Sequence, residues 1–463
     1  MATGESVAAL VAALRTNFDT GTTRSLDARR DALARLDQLI VRHEGEFLDA
    51  LKEDLGKSGP EGWLTEIALC RQAIRDLSRR LPRFMRASRA TVPVVQRPGR
   101  ARLQREPKGC CLVISAWNYP VMLLVVPVAT AIAAGNVVVA KPSELAPRTS
   151  ALLASVLDSE FDQRILRVVE GGPEVTRALI ACGVDHVFFT GSSTTGRAIL
   201  QSAAPMLTPV TLELGGKSPA YVDIDSDVAL AARRIAFAKF LNAGQTCVAP
   251  DYVLVHESVA DLFERRLAET VRDFFGDSPE ESPDLGRIVN KTHFDRLADL
   301  LSSTDGEIVI GGGVDAATRY IAPTVVTNPS STSALMQEEV FGPILPLLRV
   351  VDVHAAIEEI RSHPAPLAIY CFTRSKRTVE LIASKTRSGG VTQNTAAEQF
   401  AMMTLPFGGV GESGNGAYHG AAGLEEFSQL RTYLRRGVRL ETRFAYPPST
   451  PRKLRILRRV LRA

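Results

Sequence analysis

No stretch of the 463-residue chain is apolar for long enough to cross a bilayer. The greasiest run, VMLLVVPVATAIAAGN from Val121, has about fourteen apolar-rich residues and a proline, Pro127, whereas a span needs ~20. It reads as a buried helix. The N-terminus, MATGESVAALVAALRTNFD, carries Glu5 and no basic run, which argues against a secretory signal. The cysteines at 70, 110, 111, 182, 247 and 371 form no CxxC pair and no Cys/His cluster at zinc spacing, so no metal site is expected. Reduced thiols and a cytoplasmic location follow as expectations. No strong charge excess exists either: the net charge is +4, and six cations (Arg452, Lys453, Arg455, Arg458, Arg459, Arg462) sit in the tail with no acid. The body is then near neutral and carries no nucleic-acid footprint.

What is present is an ordinary globular composition, 45% hydrophobic and 23% charged, at a length that suggests two or three domains. The first eighty residues are helical by period, with Leu26, Leu33, Leu36 and Ile40 recurring among charges. Residues 91–108 carry β-branched runs around a Pro-Gly turn and look like an extended hairpin. Short apolar runs then alternate with helical segments: CCLVISAWN, NVVVAKPS, RILRVVEGG and DHVFFTGSS. This texture predicts a parallel sheet covered on both faces, with ligands at the carboxyl ends of its strands. A second α/β section follows, with PAYVDI, YVLVHES, EIVIGGG, ILPLLRV and LAIYCFT as strand candidates, and residues 392–416 turn glycine-rich.

Five stretches carry possible chemistry, and each has a bland alternative. In VFFTGSSTTG (187–196) a strand ends at Thr190, Gly191 and Ser192 before a helix, a place where free N–H groups and the helix dipole hold phosphate. The spacing to Gly196 is not the GxGxxG fingerprint, and a plain strand-to-helix turn explains it as well. In VVVAKPSELAP, Lys141 and Glu144 could bind ribose hydroxyls, Glu144 repelling a 2′-phosphate, or could be a solvated pair. In VTLELGGKSP, Glu213 lies inside an apolar strand, where burial raises a carboxyl pKa and can make a general base; structural acids also occur there. In SAWNYP, Asn118 is a helix cap or an oxyanion donor. Cys247, in LNAGQTCVAPD, is a nucleophile or one more small buried residue.

Taken in order, WNYP, KPSE, FTGS, LELGGKSP, GQTC, EEVFGPI (338–344) and PFGGVGESGNG (406–416) resemble the motif set of the aldehyde dehydrogenase superfamily. The resemblance runs from about residue 10 to 435. VTQN (391–394) and GAYHG with the following FSQLR are similar to the class 3 branch, which acts on medium- and long-chain and aromatic aldehydes. The resemblance implies an α/β fold with a Rossmann-type parallel-sheet cofactor domain (1–90 and 109–210) and an α/β catalytic domain (211–400). It also implies a β bridging and oligomerisation arm (91–108 and 417–446), followed by a basic tail (447–463).

It further implies that Cys247 attacks the aldehyde as a thiolate, giving a thiohemiacetal whose oxyanion is held by the Asn118 side chain and the Cys247 N–H. Hydride passes to the nicotinamide, and Glu213 activates water to hydrolyse the thioester. Lys141 and Glu144 would hold the adenosine ribose, Gly191, Ser192 and Gly196 would lie by the pyrophosphate, and Glu339 with Phe341 would fix the nicotinamide ribose. Tyr119 would line the substrate tunnel. His419 matches a family position and could equally be a packed core histidine.

A reactive thiol needs a lowered pKa, and no cation adjoins Cys247 in sequence, so its source must be spatial, the cofactor's positive ring being one candidate. The cofactor is expected to be NAD, with NADP open. FTGSSTTG carries Ser192 and Ser193 where class 3 members often have other small polar residues. The presence of Glu213 speaks against the CoA-acylating branch, and the intact Cys247, Glu213 and Asn118 against a catalytically silent binding protein. A homodimer completed through the arm is expected. Leu454, Leu457 and Leu461 on one helical face among arginines suggest contact with an acidic membrane surface, the alternative being a frayed, solvated tail.

Overall fold

The computed structural model describes residues 4–93, 97–438 and 446–461. Parts of the expected arm (94–96 and 439–445) and Arg462 lie outside the described residues. Amphipathic helices Gly4–Asp19, Leu26–Arg42, Glu44–Leu55 and Ala68–Phe84 open the chain, as their apolar spacing requires. In Leu26–Arg42 the buried positions are Arg29, Ala32, Leu33, Leu36, Leu39 and Ile40, one face of a 3.6-residue period.

The first sheet has the strand order Gly414–Asn415, Val210–Leu214, His186–Gly191, Cys110–Ile114, Val137–Lys141 and Leu166–Val168. All pairings are parallel except that of the short edge strand Gly414–Asn415. Cys110–Ile114 and Val137–Lys141 are buried at every residue, which is why they read as unbroken apolar runs. The run from Val121 is the helix Met122–Ala134, buried all round. Among the described residues no helix is long and apolar enough to cross a membrane.

The second sheet runs Glu307–Ile310, Thr324–Thr327, Ile344–Val350, Tyr252–His256, Pro219–Val222, Ala368–Phe372 and Gly390–Gln393. It is parallel apart from its edge strand Glu307–Ile310. The third sheet joins Ser88–Ala90, Gly99–Pro107 and Ser428–Arg436, all antiparallel.

Two expected boundaries shift. A division at residue 211 cuts the strand Val210–Leu214, whose parallel partner is His186–Gly191, so Glu213 belongs to the first sheet. The arm's first segment begins at Ser88, because Ser88 pairs with Leu103 and closes the hairpin there.

Candidate active site

Three strands of the first sheet, Cys110–Ile114, Val137–Lys141 and His186–Gly191, end on a cleft of about 330 Å³. Lys141, Glu144, Gly191 and Ser192 line it, together with Trp117 and His293. Lys141 is buried, and its Nζ donates to the Pro142 carbonyl (3.1 Å) and to Glu144 (2.9 Å). The Glu144 side chain keeps 44% of its surface exposed beside the cleft. Ser192, on the cleft wall, caps the helix Ser193–Ala203, accepting the Thr195 N–H at 3.3 Å. Gly196 faces the other way: a Cβ there would meet Leu214 at 3.1 Å, so it lets the helix sit close on the sheet.

Behind the cleft lies the thiol. Cys247 follows a tight turn in which Asn242 and Ala243 both have φ 52°. Gly244 has φ 76°, and a Cβ there would lie 2.2 Å from the Gly342 carbonyl oxygen, so glycine alone fits. Gln245 locks the turn, donating to the carbonyls of Asn242 and Arg287 (3.0 Å each) and accepting the Val289 N–H (2.9 Å). The buried Asn118 amide donates to the Gln245 carbonyl at 3.0 Å, which occupies one of its two hydrogens. Tyr119 bonds Thr246 through its hydroxyl at 2.6 Å.

Glu213 stands opposite Thr190 in the strand register, one residue from Gly191. Both its carboxyl oxygens are buried without a hydrogen-bond partner among the described residues. Burial pushes its pKa up to about 8, with the Cys247 thiol pulling it down and the charge of Glu339 adding to the rise. Glu339 is likewise pushed up to about 8, by burial and then by Asp251, against the Gly216 N–H, Lys217 and Arg296. A Cβ on Gly215 would lie 2.4 Å from both Glu339 oxygens, so this glycine admits the carboxyl. A buried Lys217–Asp251 pair (2.5 Å) ties the surrounding loops: Lys217 also donates to the Leu335 and Glu338 carbonyls, and Asp251 accepts the Val340 N–H.

The protein's own groups do not lower the thiol pKa. Burial, then the charges of Glu213 and Glu339, push Cys247 well above the usual thiol range. Carboxyl groups rather than cations surround it, so deprotonation requires a nearby acceptor. Cys247 nevertheless keeps part of its surface accessible. Buried phenols ring the same space: Tyr119, Tyr370 and Tyr418 are each pushed up by burial, with a further push from Cys247.

The geometry thus brings Asn118, Tyr119, Glu213, Cys247 and Glu339 together, and Lys141, Glu144, Gly191 and Ser192 along the adjoining cleft. His419 stays apart in role. It is buried, stacks on Phe407 at 5.5 Å, finds no partner for either ring nitrogen among the described residues, and is held by burial down to about 3. Sequence reasoning missed Trp117 and His293, whose rings meet at 5.1 Å with Phe341 edge-on to Trp117 at 5.5 Å. Trp117 adjoins Asn118 in a quoted motif, but His293 lies in no motif, and only the folded chain brings it to the cleft.

The aldehyde dehydrogenase family model matches residues 1–433. The chain belongs to the aldehyde dehydrogenase family. Its similarity to aldehyde dehydrogenase family 3 member H1 of Arabidopsis thaliana is 43% identity over 97% of this chain and 93% of that one. It is 41% identical to 4,4'-diaponeurosporen-aldehyde dehydrogenase of Staphylococcus aureus, over 93% and 94% of the two chains. The solved substrate-bound state of Staphylococcus aureus AldH superposes with a TM-score of 0.94 at 39% identity, covering 97% of this chain and 98% of that one. The protein is therefore an aldehyde dehydrogenase of the class 3 type, an oxidoreductase that acts on aldehydes.

Proposed function

We propose that this aldehyde dehydrogenase oxidises medium- or long-chain aliphatic, or aromatic, aldehydes to carboxylic acids with a nicotinamide dinucleotide, using Cys247 as nucleophile. The observation that carries this is the buried, raised-pKa Glu213 carboxyl, whose nearest polar neighbour is the part-accessible Cys247 thiol. Glu213 takes the thiol proton as sulfur adds to the carbonyl carbon, and the remaining Asn118 N–H with the Cys247 N–H stabilises the oxyanion. The dinucleotide, when bound, supplies the hydride acceptor. Glu213 gives that proton up to solvent, then draws a second one from water as the water attacks the thioester, and returns it to the Cys247 sulfur as the acid leaves.

The residues present fit a dinucleotide. The cleft at the strand ends leaves room for its adenosine end, and the buried Lys141 and the Ser192 helix start supply donors to hold it. Lys141 and Glu144 would take the adenosine ribose, Gly191 and Ser192 the pyrophosphate, and Glu339 with Phe341 the nicotinamide ribose. Gly196 would act only through helix packing. Glu144 disfavours a 2′-phosphate, so NAD is the preferred cofactor; Glu144→Gln is expected to raise kcat/KM with NADP relative to NAD. The buried Tyr119 and the Phe400 ring 6.0 Å from it suit an apolar substrate. The Staphylococcus aureus relative, named for its aldehyde, supports an aldehyde substrate here.

Cys247→Ala tests the reading. NADH formation with a long-chain or benzylic aldehyde is expected to vanish while NAD binding persists; full activity in this variant would exclude the assigned nucleophile.

A further inference from the structure

Two charged side chains outside every motif lie buried behind the oxyanion segment. Lys57 follows the helix Glu44–Leu55, and Glu66 lies in the single wide turn Trp63–Ile67. They pair at 2.6 Å with no exposed side-chain surface. Desolvation offsets most of the attraction in such a pair, and apolar residues of similar volume often serve stability as well. Stability alone therefore gives a poor account of it.

The partners of the pair point elsewhere. Lys57 donates to the Asn118 main-chain carbonyl at 2.9 Å, and its Nζ lies 3.9 Å from the centre of the Tyr119 ring. Glu66 accepts the N–H groups of Val121 (2.8 Å) and Met122 (3.1 Å), at the start of the helix Met122–Ala134. One ion pair thus fixes residues 118, 119, 121 and 122. The same segment grips the cysteine loop: the Asn118 amide donates to the Gln245 carbonyl, and Asn242 donates to the Asn118 carbonyl at 2.8 Å. Tyr119 reaches Thr246, the neighbour of Cys247, at 2.6 Å.

We propose that Lys57, held by Glu66, is a positioning residue that aims the free Asn118 N–H at the oxyanion forming beside Cys247. The proposal rests on the reading of Asn118 as the oxyanion donor. Lys57 touches no reacting atom; it sets the main-chain carbonyl from which the Asn118 side chain is oriented. A shift of about 1 Å in such a donor is enough to slow the chemical step about 10²-fold.

The test is a double-mutant cycle on the full-length enzyme, reading the pre-steady-state burst of NADH, with NAD affinity measured separately by fluorescence quenching. Lys57→Met combined with Glu66→Gln removes both charges of the pair and keeps an acceptor for the Val121 and Met122 N–H groups, while Glu61, which Lys57 also faces, keeps the Asn242 N–H. Asn118→Ala is expected to slow the burst about 10²–10³-fold. The Lys57/Glu66 variant should slow it about tenfold or more, and by no more than Asn118→Ala does. NAD affinity should be unchanged, and adding Asn118→Ala should bring no loss beyond that of Asn118→Ala alone. Losses that multiply, or a burst at the wild-type rate in the Lys57/Glu66 variant, would overturn the positioning role while leaving the oxyanion reading intact. A normal burst in Asn118→Ala itself would overturn the oxyanion reading and this proposal with it. Should the paired variant fail to fold, Lys57→Arg keeps the charge but moves the donor. A slowed burst at unchanged NAD affinity is then expected, and an unchanged burst overturns the role.

Discussion

Glu213 and Cys247 compete for one proton in a buried space that already holds a second carboxyl, Glu339. Because burial raises Glu213 to about 8, its base form grows as pH rises through that value. Thioester hydrolysis is therefore expected to accelerate with pH up to and through about 8, and this limb should disappear in Glu213→Gln. A flat hydrolysis rate between pH 6 and 9 in the wild type would count against the assignment. His419 gives an opposite, structural pH effect. Its folded pKa is held near 3 while an unfolded histidine titrates near 6.5, so the unfolded state binds the extra proton between the two values. Stability is then complete above about 6.5 and falls with pH below it. His419→Phe should fold and lose part of this acid sensitivity, read as a smaller drop in Tm between pH 7 and 5. At this scale the motif residues were legible because chemistry dictates residue type. The direction of the Cys247 shift was not, because it depends on which carboxyls fold around the thiol.

The turn before Cys247 is the element on which the site hangs. Gly244→Ala forces a side chain onto a φ of 76° and against the Gly342 carbonyl. Strain of about 1–3 kcal/mol is expected from the backbone alone, with activity falling further as the Cys247 N–H turns away. Denaturant unfolding and steady-state rates on the same variant check both parts. The strands of the first sheet could be read from sequence because burial on both faces makes them continuous apolar runs ending in polar residues. Thr324–Thr327 and Gly390–Gln393 could not. The first is a four-residue strand after Pro323, and the second is a half-buried edge whose Gly-Val-Thr-Gln carries no apolar run. The expected division at 211 falls inside Val210–Leu214, and only pairing with His186–Gly191 reveals the sheet to which that strand belongs.

At the scale of the molecule, the arm sheet leaves Ser428–Arg436 as an edge strand, with Leu430 and Leu434 exposed at 58% and 61%. An apolar edge of this kind invites a second copy of the chain, so a homodimer is expected by light scattering, and Leu430→Lys with Leu434→Lys should shift it toward monomer. The helix Pro451–Leu461 bears Arg452, Lys453, Arg455, Arg458 and Arg459, with Leu454 exposed at 50%. It is expected to carry the enzyme onto anionic vesicles in flotation, and a chain ending at Pro447 should stay behind; equal flotation would dispose of the membrane contact.

The whole arrangement converges on a covalent bond to one sulfur. Glu213→Gln, mixed with NAD and a long-chain aldehyde and quenched in acid, should give intact protein heavier by one acyl group, mapped by peptide mass spectrometry to Cys247. Unmodified protein once one equivalent of NADH has formed, or the acyl group on another residue, would contradict the account.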